Sequence, residues 1–142
     1  MTSQRMDDLL SLLMAVIVAD KRVFAEEIQA FLTEAAKLQA TLELKPKWSE
    51  AQFLMWYEMN KDDVKAQALG PYLKTWLYER VDRLADIENK PAILEAMRQI
   101  AVSDGNMHVS ERALIVLTAR QWVLHPLGES GGQGNADLQI QS

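Results

Sequence analysis

The chain of 142 residues contains no cysteine and only two histidines, His108 and His125. The missing thiols exclude disulfides, thiolate zinc sites and cysteine nucleophiles. Two histidines are too few for a histidine-rich zinc site. No catalytic triad or organic-cofactor fingerprint is found. These absences predict a protein that is not an enzyme and that holds no organic cofactor.

Basic charge and long apolar runs are also scarce. The formal net charge of -5 argues against binding to a phosphate backbone, so no nucleic-acid partner is expected. The longest apolar run covers residues 12–19, far short of the roughly 20 residues that span a bilayer. Asp7 and Asp8 precede this run, where a secretory signal is normally basic. We expect a cytoplasmic protein without direct membrane insertion.

Apolar residues recur at helical spacing, and no alternating strand pattern has a partner, so we predict an all-α fold. The expected fold is a compact single-domain bundle of about seven helices over residues 1–124. Residues 125–142 are rich in glycine and polar residues, which predicts a flexible C-terminal tail. We expect one helix from Ser49 to about Asn60 and a separate short helix from Asp62 to just before Gly70. The first helix is apolar round its circumference and is predicted to be central.

Two stretches share a pattern of an apolar helix, a polar turn and a second helix. Asp20 and Glu27 occur in the first stretch, and Asp104 and Glu111 occur at the same D-x6-E spacing in the second. Gly105 follows Asp104 where a left-handed helix end is expected. The chain is therefore interpreted as two pseudo-repeated helix–turn–helix units with aromatic-rich helices between them.

The four carboxylates of these units have two interpretations. Carboxylate oxygens are suitable ligands for hard divalent cations such as Ca²⁺, Mg²⁺ or Mn²⁺, so Asp20, Glu27, Asp104 and Glu111 are candidate metal ligands. Alternatively, they cap the turns, because a glutamate in the first helical turn can bond back to the backbone N–H of the cap residue. His108 is a further candidate ligand, although a histidine at such a turn is more often solvated.

The aromatic residues of the middle helices are predicted to lie mostly in the core. Beside them, Met55 and Met59 suggest an adaptable groove for a partner helix. Trp56 and Tyr57 complete the candidate partner-binding set.

The two D-x6-E units resemble the TerB-like family, which comprises the tellurite-resistance protein TerB and related domains. The family pattern is an apolar helix, Asp-Gly, a short turn and a Ser/Thr-x-x-Glu helix start. Residues Ala101 to Glu111, AVSDGNMHVSE, match it except at His108, which occupies the Ser/Thr position. The first unit departs further, with Lys21 in place of the glycine and Phe24 at the cap position.

This resemblance, over about residues 6–122, implies a compact seven-helix fold with an acidic metal-binding site and no enzymatic activity. It also implies a bacterial stress-response role beside protein partners, some of them membrane-associated. We therefore expect a non-enzymatic, tellurite-resistance-type protein that binds a divalent metal and acts within a larger complex. A metal-independent interaction module using the aromatic and methionine groove is the alternative, and a homodimer remains open.

Overall fold

The computed structural model describes residues 4–19 and 25–124. Over these residues the chain forms six helices and no strands, which confirms the all-α prediction. The helices are α1 (Gln4–Val18), α2 (Ala25–Thr41), α3 (Glu50–Ala68), α4 (Leu73–Arg83), α5 (Lys90–Ala101) and α6 (Val109–Leu124). None of the helices in this part of the chain combines the length and apolar character that crossing a bilayer requires.

Helix α1 is the centre of the bundle, as its composition predicts. Every residue from Leu9 to Val18 is buried, including Ser11. Such a helix has no face for water, so other helices must cover it on all sides. All five other helices contact α1.

The two helix–turn–helix units, α1–α2 and α5–α6, pack into one another. Their first helices, α1 and α5, are in contact. Helix α2 packs more extensively against α5 than against its own neighbour in the chain, α1, and α6 contacts both α1 and α5. The repeated sequence pattern therefore corresponds to two units that share one core.

Helix α3 is continuous where the sequence pattern predicts two helices, so the described residues contain six helices and not seven. No glycine or proline interrupts residues 50–68. The side chain of Asn60 donates to the carbonyl of Trp56 at 2.9 Å, and Lys61 pairs with Glu58 at 2.8 Å, both within the helix. The predicted break at residues 60–62 therefore lies inside one long helix.

Helix α3 begins at a complete capping box. The Ser49 hydroxyl accepts a hydrogen bond from the Gln52 backbone N–H, and the Gln52 side chain accepts one from the Ser49 N–H. Helix α2 ends differently, with Glu43 in a left-handed conformation (φ 54°) and the Leu44 N–H donating to the Gln39 carbonyl. Local hydrogen bonds thus define both ends of the segment between α2 and α3.

A buried ion pair joins α1 to α4. Asp8 is 1% exposed, and both of its carboxylate oxygens accept hydrogen bonds from Arg83, at 2.8 and 2.9 Å. Gln4 donates to the same carboxylate at 3.0 Å. The Arg83 side chain remains 43% exposed, so only the carboxylate has lost its water.

Replacing Arg83 with alanine is expected to lower the free energy of unfolding by about 3 kcal/mol, because it leaves a buried carboxylate without its cation. Urea denaturation monitored by circular dichroism measures this change. Arg98→Ala is the matched control, since Arg98 and its partner Glu95 are both about half exposed. The control substitution should lower the free energy of unfolding by less than about 1 kcal/mol. Equal losses in the two variants would contradict the assigned role of Arg83.

Candidate functional site

The turn between α5 and α6 has the backbone that the Asp-Gly pair predicts. Gly105 adopts φ +100°, a conformation that side chains with a Cβ rarely reach. Its N–H donates to the carbonyl of Val102 at 2.9 Å. The chain therefore leaves α5 and turns into α6 within a few residues, which keeps Asp104 and Glu111 on the same short segment.

Asp104 organises this turn from its side chain. One carboxylate oxygen accepts the backbone N–H of Asn106 at 3.1 Å, and the other lies 3.4 Å from Nε2 of His108. The Asp104 side chain is mostly buried, and that of His108 is one-third exposed. This arrangement is an Asx turn with a histidine beside the second oxygen.

Glu111 is fully buried in the first turn of α6. Its Oε1 accepts the backbone N–H of His108 at 3.0 Å, which is the back-bond of a capping box. Asp104, His108 and Glu111 are thus brought together, and each carboxylate accepts one backbone N–H.

Glu27 is fully buried in the first turn of α2, the position equivalent to Glu111. Burial raises the pKa of the Tyr57 phenol, and the negative charges of Glu58 and Glu27 act in the same direction, against Lys61. Glu27 therefore lies close enough to Tyr57 to affect its titration. Glu27, a candidate metal ligand, and Tyr57, a candidate partner-binding residue, thus lie in the same part of the core.

Asp20 lies outside the described residues, as do His125 and the predicted tail. Within residues 4–19 and 25–124, no three acidic or histidine side chains are grouped so that they could hold a metal ion. Asp104, His108 and Glu111 are near one another in the chain, but the Glu111 Oε1 is turned towards the backbone of His108. Of the four predicted carboxylate ligands, the described residues therefore contain Glu27, Asp104 and Glu111.

Met55 and Met59 line an open cleft of about 530 Å³ on the outside of α3. They are 64% and 77% exposed. Trp48 and Trp56 line the same cleft, which we call the α3 groove. Tyr57 lies in the core instead, with its ring centroid 5.7 Å from that of Phe31.

Two residues that bond to the tryptophans of the groove are not indicated by any pattern in the sequence. Asp7 accepts a hydrogen bond from Nε1 of Trp56 at 3.0 Å, across 49 positions of sequence. The buried side chain of Gln39 bonds both backbone groups of Trp48, its N–H at 2.6 Å and its carbonyl at 3.0 Å. The first contact joins Trp56 of α3 to α1, and the second joins Trp48 to α2. Neither pair has a spacing that a sequence pattern detects.

Residues 6–126 match the family model described as tellurite resistance protein TerB. The chain belongs to the TerB family. The match spans α1 to α6 and includes both D-x6-E units, which confirms the resemblance seen in the sequence. No curated protein and no solved structure matches the chain. The family to which the chain belongs is thus of the tellurite-resistance type.

Replacing Gly105 with alanine is expected to destabilise this TerB-family protein by about 1–2 kcal/mol. A Cβ at residue 105 meets no atom within 4 Å, so the cost comes from the backbone conformation and not from a clash. Urea denaturation measures the loss, with the neighbouring exposed Asn106→Ala as the control. A Gly105→Ala variant as stable as this control would contradict the backbone assignment.

Proposed function

We propose that this TerB-family chain is a non-enzymatic stress-response protein that binds a divalent metal and acts as a component of a larger complex. The proposed ligands are Asp20, Glu27, Asp104 and Glu111, with His108 as a further donor. Calcium, magnesium and manganese are the expected ions, because carboxylate oxygens are hard ligands. The proposed protein partners include membrane-associated ones.

The burial of Glu27 and Glu111 at equivalent helix starts is the observation that carries this proposal. Taking a carboxylate out of water costs several kcal/mol of free energy. Its interaction with a helix N-terminus offsets only about 0.3–2 kcal/mol of that cost. A site that buries carboxylates in this way favours positive charge nearby. A divalent cation is one source of such charge, and both units place a buried carboxylate at the equivalent position.

The capping bonds of the second turn are compatible with metal binding. A carboxylate has two oxygens and about four acceptor sites. Asp104 and Glu111 each use one oxygen to accept a backbone N–H, and this bond fixes the orientation of the side chain. Outer hydrogen bonds of this kind commonly orient the ligands of metal sites. A capping role for these carboxylates is therefore compatible with the proposed cation site.

Titration by calorimetry with Ca²⁺, Mg²⁺, Mn²⁺ and Zn²⁺ tests the proposal. Saturable binding at low micromolar affinity is expected for at least one ion, and Glu27→Gln or Asp104→Asn should weaken it about tenfold or more, as the loss of a charged ligand. Glu26→Gln is the matched control, because Glu26 is in the same turn of α2 and carries the same charge but is exposed.

Circular dichroism establishes that each variant is folded before its titration is interpreted. Absence of binding for all four ions in the wild-type protein would overturn the metal proposal. Equal weakening by Glu26→Gln and Glu27→Gln would also contradict it, because binding would then depend on general negative charge.

We also propose a second function, a metal-independent protein-interaction module that uses the α3 groove. The exposure of Met55 and Met59 beside Trp48 favours it. Methionine side chains adapt to the shape of a partner helix, and exposed apolar residues at one place on a surface mark interaction sites. The buried base of the groove, held by Asp7 and Gln39, provides a rigid support.

Oxidation of methionine by peroxide tests this second function. In the purified protein at low concentration, Met55 and Met59 should oxidise well before Met14 and Met97, which are fully buried. In cells, a partner in the groove should protect the two exposed methionines, as measured by mass spectrometry of tryptic peptides. Equal oxidation of Met55 and Met59 in cells and in the purified protein would overturn the groove proposal.

A further inference from the structure

The outward side of α6 is apolar. Val109, Val116 and Val123 follow one another at seven-residue spacing, which places them on one side of the helix. They are 86%, 45% and 77% exposed. The opposite side of α6 carries the buried apolar residues Leu114 and Trp122. A helix that is apolar on both sides is expected to be covered on both.

The charges on this outward side are all positive. Arg112 and Arg120 lie four residues before and four residues after Val116, so they flank the valine stripe on its two sides. Both are exposed, and neither forms an ion pair with any residue of the described part of the chain. We call these two arginines and the three valines the α6 face. It is a cationic surface on an acidic protein.

The outward side of α3 has the complementary character. The exposed large apolar residues of α3 are Leu54, Met55 and Met59, and the two methionines, four positions apart, share one stripe. Asp62 and Asp63 follow Met59 at three and four positions, which places one carboxylate on each side of the methionine stripe. Both aspartates are exposed, and within residues 4–19 and 25–124 neither forms an ion pair. We call the two methionines and the two aspartates the α3 face.

The two faces lie on helices that share two neighbours in the bundle. Both helices pack against α4 and against α1. A two-fold arrangement lets each protomer present both faces to its partner, so that each face meets the oppositely charged one.

We propose that this chain forms a two-fold symmetric homodimer in which the α6 face of each protomer packs on the α3 face of the other. Arg112 and Arg120 pair with Asp62 and Asp63 at the rims of each helix contact. The inference rests on the second proposed function, because it identifies the partner of the α3 groove as a second copy of the chain. Each protomer uses both faces, so the assembly closes at two subunits.

Ion pairs at the rim of such an interface are screened by salt, whereas the valine and methionine stripes are not. The dimer is therefore expected to weaken at high ionic strength without being lost completely. The association joins two acidic chains, each of net charge -5. Salt screens the repulsion between the two acidic chains, and this effect alone would strengthen the dimer. A dimer that weakens as salt is added would therefore indicate the proposed ion pairs.

Sedimentation velocity of the full chain over a range of concentrations tests the dimer. The wild-type protein is expected to shift from monomer to dimer, and Val116→Glu to remain a monomer, because it places a carboxylate on the apolar stripe opposite the aspartates. Gln29→Glu is the control, since it adds the same charge at an exposed position of α2. A wild-type protein that stays monomeric up to about 1 mM would overturn the inference.

A charge exchange identifies the helices that pair. One variant carries Arg112→Asp and Arg120→Asp, and the other carries Asp62→Arg and Asp63→Arg. Each alone should be monomeric, because like charges then face one another in both helix contacts. An equimolar mixture should recover a one-to-one heterodimer, since both contacts are again complementary. If the Asp62→Arg/Asp63→Arg variant dimerised alone, the aspartates would not face the arginines and the inference would be overturned.

Failure of the dimer can be distinguished from failure of the proposed functions. Cation binding by the monomeric Val116→Glu variant should equal that of the wild type, because residue 116 lies outside the proposed metal ligands. A monomeric wild-type protein that binds cations would overturn the dimer and leave the metal proposal in place. If Met55 and Met59 were protected in cells while the purified protein stayed monomeric, the groove would bind a different protein and not a second copy of the chain.

Discussion

The burial of α1 is the constraint on which the rest of the structure depends. A helix that is apolar round its circumference is stable in water only when neighbours cover every side, and here five helices do so. The two helix–turn–helix units share this task, since α2 and α6 both pack against α1 and also against α5. The pseudo-repeat is therefore a packing arrangement in which two units build one core.

Two polar contacts at the start of α1 join it to α3 and α4 beside the apolar core. Asp8 binds Arg83 of α4, and Asp7 accepts a hydrogen bond from Trp56 of α3. Asp8 is buried, so the loss of its Arg83 donor would be costly, whereas Asp7 is half-buried. These two bonds align α1 with α3 and α4, and the same Asp7–Trp56 contact supports the base of the α3 groove. The fold and the groove thus depend on neighbouring residues of one helix.

Much of the candidate site is readable from the sequence because its contacts are local. Asp104, His108 and Glu111 are near one another in the chain, and their hydrogen bonds span two to four positions. Spacing and turn chemistry therefore predict that part. The groove is different, because Met55 and Met59 have a readable helical spacing, while the residue that supports Trp56 is 49 positions away. Long-range pairs of this kind leave no periodic signal.

The sequence by itself determined the helical class, the central position of α1, the turn at Gly105 and the family, since each depends on local pattern or on motif spacing. Only the tertiary structure decided that α3 is one helix, that Asp8 meets Arg83, and that α2 packs chiefly on α5. The physical reason is the range of the interactions. Caps and hydrophobic periodicity act over a few residues, whereas helix pairing is selected by the shape and polarity of surfaces that the folded chain brings together.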